Sequence, residues 1–238
     1  MNNNIKSSRG PITAYSFLSS AAINNLTRLA NKILAHFFSS VQALASKPVV
    51  TVSASKVVIN IFYYIPTTPF ASNKALSSSA INSLGEVLSK LFKRPVELRL
   101  VRLQYPYLNS YILAQYIAIN TAKYNFTRII TRLWGANAIF GPIRDAESNT
   151  STALVSWPGV SSTTIPAYIT GMKVKISGRL VTQRSVPRQS VQTAQVGSFS
   201  KSSGVQEIES ASFTSKNKKG AFTVKVWIGQ ALLETSST

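Results

Sequence analysis

Two strictly alternating segments near the C-terminal end constrain this chain more than any other feature. In one, Lys173, Lys175 and Ser177 face one way while Val174 and Ile176 face the other. In the second, Phe222, Val224, Val226 and Ile228 alternate with Thr223, Lys225 and Trp227. Side chains of a strand point to opposite faces at successive residues. Both patterns therefore predict strands with an apolar side for a core and a polar, basic side away from it.

Charge gives that basic side its meaning. The 238 residues carry 26 Lys plus Arg against 7 Asp plus Glu, a formal net charge of +19, with only 14% of the chain charged. So few acids cannot neutralise the surface through internal ion pairs, and a polyanionic partner is implied. Residues 171–225 alone hold ten bases (Lys173, Lys175, Arg179, Arg184, Arg188, Lys201, Lys216, Lys218, Lys219 and Lys225) and two acids. A sheet with lysine at alternate positions is a rigid platform for a phosphate backbone. The run Lys216-Asn-Lys-Lys-Gly220 reads as a flexible basic loop. Arg128 and Arg132, four apart, share one face of a helix and form a second basic stripe.

Inventory argues against catalysis. Cysteine is absent, which removes disulfides, cysteine-ligated zinc and thiol chemistry. The single histidine, His36, lies beside an apolar stripe and reads as a packing or surface residue. Asp145 with Glu147, and Glu207 with Glu209, fall in polar, serine-rich stretches and read as solvated loops. No metal, cofactor or acid–base pair is expected from such a set. The most apolar run, Tyr105 to Ile119, is broken by Asn109, Ser110 and Gln115 and is shorter than the roughly 20 residues of a spanning helix. No membrane role is expected.

Before the alternating strands, apolar residues recur at Ile23, Leu26, Leu29, Ile33, Phe37, Val41 and Leu44, which predicts one amphipathic helix over 17–44. Val49 to Ile65 predicts two strands joined at Ser53-Ala-Ser55. Ser77 to Phe92 predicts a serine-capped helix, and Val96 to Leu100 a half-buried strand. Asn109 can cap a helix running to about Lys123, and another spans about Thr127 to Trp134. Residues 135–170 read as a long surface insertion.

Four blocks in this order resemble small-subunit ribosomal protein three. Gly171-Met-Lys-Val-Lys-Ile-Ser-Gly-Arg-Leu180 is similar to that family's G-hydrophobic-K-V-x-V-S-G-R-L signature. Lys219-Gly-Ala-Phe-Thr-Val-Lys-Val-Trp-Ile228 is similar to its closing strand. Val96 to Arg102 with Pro106 and Leu113-Ala-Gln-Tyr-Ile-Ala118 resemble its middle segment. Phe126-Thr-Arg-Ile-Ile-Thr-Arg132 falls where the family clusters basic residues after a phenylalanine. The asparagine and serine richness, the long N-terminal region and the insertion resemble the fungal mitochondrial, organelle-encoded form. The basic N-terminal region has no acid before Glu86 and runs too long to be an import peptide alone, which fits synthesis inside the organelle.

The resemblance implies an α+β protein in three parts. Residues 1–46 would be an N-terminal helical extension, 47–104 a degenerate type II KH-like domain, and 105–238 a C-terminal α/β domain with a basic β-sheet. It further implies a non-enzymatic constituent of the mitochondrial small ribosomal subunit, working in the mitochondrial matrix. Its expected partners are small-subunit rRNA, mRNA where it enters the subunit, and neighbouring head proteins. Arg128, Arg132, Lys173, Lys175, Arg179, Arg184, Arg188, Lys216, Lys218 and Lys219 are the expected RNA-binding residues. Two departures stand out. Residues 66–79 contain no glycine, so the Gly-x-x-Gly clamp of KH domains is missing. Thr127 and Thr131 occupy places that are basic in the family. A free KH-like RNA-processing or intron-splicing factor is the alternative reading.

Overall fold

The computed structural model describes residues 20–53, 55–66, 77–135, 167–183, 189–199 and 206–232. It is a mixed helix-and-sheet (α+β) structure whose chain divides into two compact units, Met1–Tyr105 and Pro106–Thr238.

In the first unit, α1 (Ser20–Ser40) is followed by β1 (Leu44–Ala45), β2 (Val49–Val52), β3 (Val57–Tyr64), α2 (Ser78–Phe92) and β4 (Val96–Arg102). Strand β3 pairs antiparallel with β1 and β2, and parallel with β4. Its alternate residues Val57, Ile59 and Ile61 are buried, together with Val50 and Val52 of β2 and Leu84, Leu88 and Phe92 of α2. Helix α2 starts where Ser77 Oγ accepts from Ala80 N at 3.3 Å, satisfying one of the donors a helix leaves open at its first turn. It ends with Lys93 in the left-handed region, just before Pro95.

Helix α1 adds Ala30, Leu34 and Phe38 to this same core. That is a change of phase from the expected stripe, because Leu29 is 47% exposed and Leu44 belongs to β1. The cause is visible in the sequence. Leu29-Ala30, Ile33-Leu34 and Phe37-Phe38 are apolar pairs, so the apolar arc is wide and periodicity alone leaves its centre open by one residue, about 100°. His36 lies on the exposed side.

The second unit opens with a single 3-10 turn, Pro106–Leu108, then α3 (Ser110–Asn120), α4 (Phe126–Gly135), β5 (Ala167–Gly178), β6 (Val191–Gly197), β7 (Gln206–Asn217) and β8 (Gly220–Leu232). The four strands form an antiparallel sheet in the order β6-β5-β8-β7. Met172, Val174 and Ile176 of β5 and Phe222, Val224, Val226 and Ile228 of β8 form its inner face. Against them pack Leu113, Ala114, Ile117 and Ala118 of α3, and Phe126, Ile129, Ile130 and Leu133 of α4.

Several expectations change here. Ala167 to Thr170, read as insertion, begin β5, because they continue its ladder with β8; residues 136–166 lie outside the described residues. The stretch holding Glu209 is strand β7, not a solvated loop. Glu209 turns inward, accepting from Asn109 Nδ2 at 3.0 Å and Ser110 N at 3.2 Å, at the start of α3. Asn109 Oδ1 in turn accepts from Tyr111 N and Ile112 N, each at 3.1 Å. A carboxylate and a cap residue, 100 positions apart, thus bind the first turn of α3 to the sheet. The basic run 216–220 is likewise a tight hairpin turn, not a loose loop. Gly220 takes φ +127, which a side chain would strain, and Asn217 Oδ1 accepts from Lys219 N at 2.8 Å.

Candidate nucleic-acid interface

The helices cover one face of the second sheet, and the strand register defines what the other face presents. Lys173 stands between Gln195 of β6 and Trp227 of β8, with Ser210 of β7 beyond. Lys175 stands between Thr193 and Lys225, with Ser212 beyond. Ser177 stands between Val191 and Thr223, with Thr214 beyond. No acidic side chain lies among these described positions. Lys173 Nζ lies 5.8 Å from the centroid of the Trp227 ring, within range of a cation–π contact.

The pairing of Lys175 directly with Lys225 is the informative geometry. Opposed side chains on adjacent antiparallel strands sit about 5 Å apart at Cβ, and like charges there are destabilising. Lys225 is exposed and Lys175 half-exposed. With no carboxylate among the described residues of the face to relieve them, the two ammonium groups repel one another until an anion lies across both. Phosphate is the group suited to do so, and its attraction to such a face is long-ranged and salt-sensitive.

At the turn end of the sheet, Asn217 Nδ2 donates to Arg179 O at 2.7 Å, and Lys219 Nζ donates to Gln183 O. Lys219 therefore commits its amine to the fold, whereas Lys216 and Lys218 project as exposed charges. Arg179 is exposed at the end of β5. Arg184 and Arg188 lie outside the described residues.

Arg128 and Arg132 form a separate site. Both are exposed on α4, and their guanidinium carbons sit over the same ring, Tyr124, at 4.9 and 5.7 Å from its centroid. Tyr124 itself packs on the core. Because α4 covers the inner face of the sheet, this stripe lies on the helical side of the unit and the lysines on the open side. Among the described residues, the expected RNA-binding side chains on α4 and those on β5 thus lie on different sides of the unit, in keeping with the second basic stripe expected from the sequence.

Sequence reasoning counted Lys225 without placing it opposite Lys175, and it missed Tyr124, Trp227 and Glu209. Strand alternation marked Lys225 and Trp227 as facing away from the core. The partners of Lys225, Trp227 and Glu209 depend on tertiary geometry, whereas Tyr124 lies four residues before Arg128, a spacing the sequence shows.

The first unit pairs its charges differently. Glu97 accepts from Lys56 Nζ at 2.7 Å and Arg99 Nε at 2.8 Å, and these hydrogen bonds hold its carboxyl below the usual carboxylate value. Among the described residues, no group of three or more His, Asp or Glu side chains could hold a metal ion, and no helix is long and apolar enough to cross a membrane.

A helix-backed sheet whose other face carries lysines and, among the described residues, no acidic side chain is a surface suited to a nucleic-acid backbone. Comparison with known proteins agrees. Residues 43–231 match the family model described as mitochondrial ribosomal protein (VAR1). Over 200 residues the chain is 36% identical to the small ribosomal subunit protein uS3m of Mycosarcoma maydis, covering 78% of this chain and 67% of that protein. The chain belongs to the VAR1 family of mitochondrial ribosomal proteins, a family of structural proteins and not of enzymes.

Proposed function

We propose that this chain is a structural constituent of the mitochondrial small ribosomal subunit, of the uS3 type, and that it binds rRNA through the open face of its second sheet. It works where the mitochondrial ribosome works, in the matrix. The observation that carries the rRNA assignment is the opposed pair Lys175 and Lys225, beside Lys173 on a face without described acids. A free protein gains nothing from that repulsion, whereas a phosphate backbone laid across the sheet removes it.

Its place is the subunit head, beside the path by which mRNA enters and against neighbouring head proteins. Two opposite basic surfaces support this reading, since a single RNA segment cannot lie on both. The sheet face takes rRNA, and Arg128 with Arg132, braced on Tyr124, faces incoming mRNA. Lys216 near the end of β7, with Lys218 and Arg179 just past the strands, extends the rRNA surface, and Arg184 and Arg188 follow Arg179 in sequence. Residues 47–104 form a degenerate type II KH-like domain, with α1 of the N-terminal extension packed on its core. The order α1-β2-β3-α2-β4 around one core supports that reading, and the missing glycine pair makes it a structural module without the backbone clamp.

The test is a salt titration of binding to small-subunit rRNA. Changing Lys175 and Lys225 together to Gln should lower the slope of log K against log salt by roughly 1.4–1.8, at 0.7–0.9 for each phosphate no longer neutralised. An unaltered slope would overturn the assignment of this face.

A further inference from the structure

Trp227 is a large aromatic side chain that lies outside the core of its unit. It is half-buried on the open face, in the row Gln195–Lys173–Trp227–Ser210, while the inner positions of β8 are filled by Phe222, Val224, Val226 and Ile228. A large aromatic ring among lysines, serines and threonines adds nothing to the core behind the sheet. We infer that Trp227 is a stacking site for an unpaired nucleobase of the bound RNA, with Lys173, Lys175 and Lys225 holding the adjacent phosphates. The inference rests on the RNA-binding reading of this face and adds to it the form of the RNA, single-stranded at this point.

Three observations converge on that assignment. Lys173 Nζ already lies against the ring at 5.8 Å, so the indole is in contact with a cation that can bridge to a phosphate while the ring meets the base. Lys173 and Lys175 follow one another along β5 at two-residue spacing, about 6.8 Å, giving a line of charge for a backbone to follow. Lys225 lies two residues before Trp227 on the same face of β8, so charge and aromatic surface are contiguous. Single-strand-binding surfaces combine these two ingredients, a basic track and an aromatic platform. A duplex would engage the lysines but offer no free base to the indole. On the β7 side the neighbouring positions, Ser210 opposite and Ser212 diagonal to it, carry small side chains.

The full-length chain, an oligouridylate of about 12 nucleotides and a duplex of equal charge test this directly. Trp227→Leu should weaken oligouridylate binding about 5- to 150-fold with an unaltered salt slope, because stacking releases no counterions. Duplex binding should change little. Trp227→Phe should keep most of the affinity. The chain has three tryptophans, of which Trp134 packs against the core, so RNA should quench the fluorescence of the unaltered protein and the quench should vanish in Trp227→Phe. Oligouridylate affinity unaffected by Trp227→Leu, or a slope that falls as it does for a lysine change, would overturn stacking. If Lys175 and Lys225 changes still lower the slope in that case, rRNA binding by the face stands and only the base stacking falls. If they do not, both readings fall together. Should Trp227→Leu fail to fold, Trp227→Phe decides alone: retained binding without the quench supports stacking, and an unaltered quench overturns it.

Discussion

Removing the Glu209 carboxylate should loosen α3 from its sheet, by an amount the geometry allows to be worked out. Two donors converge on it, Asn109 Nδ2 at 3.0 Å and Ser110 N at 3.2 Å. Ser110 N is among the first donors of α3, which has no partner within the helix. A hydrogen bond to a charged group contributes about 1.5–3 kcal/mol, so two set a ceiling of about 3–6 kcal/mol. Glu209 is only half-buried, and water can partly replace it, which brings the expected cost of Glu209→Ala to about 2–4 kcal/mol. Glu209→Gln keeps one acceptor and loses the charge facing the helix dipole, so roughly half that cost is expected. Urea unfolding monitored by circular dichroism measures the midpoint, and a constant slope shows that the unfolded reference is unaltered. Ser210→Ala, one residue away and exposed on the opposite face, should stay within about 0.5 kcal/mol of the parent. A Glu209→Ala protein as stable as Ser210→Ala would refute the capping role. So would additive behaviour of Asn109→Ala and Glu209→Ala, since groups sharing a bond couple by roughly 0.5–3 kcal/mol.

Two further outcomes follow from the first unit. Leu88 is fully buried and Leu29 is 47% exposed, so Leu88→Ala should cost about 2–5 kcal/mol and Leu29→Ala under about 1, as thermal or urea unfolding will show; comparable losses would mean the phase of α1 is wrong. Glu97 has its folded-state carboxyl held down by Lys56 and then Arg99, so its small contribution is present at neutral pH and is lost as pH falls through that lowered value. Glu97→Gln should therefore separate from the parent near neutrality and converge with it once pH has fallen below that lowered carboxylate value in a stability–pH series; a gap that widens in acid would reverse the sign of the effect.

The parts of the fold legible in the sequence are those whose inner positions are apolar. β5 and β8 place Val, Ile and Phe at every second residue, and α2 carries its own cap and its own stop, so local pattern sufficed. β6 and β7 did not announce themselves. The inner positions of β6 are Gln192, Ala194 and Val196, and those of β7 include Ala211, Ser215 and Asn217 around a single Phe213. Edge strands of this kind are held by ladders to β5 and β8, and a ladder is a property of two segments. The candidate interface shows the same division. Lysine alternation marked Lys173, Lys175 and Lys225 as pointing away from the core. That Lys175 faces Lys225 depends on a register between strands 50 residues apart, and that Glu209 faces inward depends on a helix that begins 99 residues earlier. The shared ring beneath Arg128 and Arg132 lies four residues before the first of them, within reach of helical spacing, and that signal was available.

The rRNA assignment of the open sheet face is tested most directly by amine labelling of Lys173, Lys175 and Lys225 in intact mitochondrial small subunits, read by mass spectrometry. All three should react in the free chain, be protected in the subunit, and regain reactivity once nuclease removes the RNA. Lysines that react equally in the free chain and the subunit, or that stay protected after the RNA is gone, would contradict it, the first by leaving the face uncovered and the second by covering it with protein.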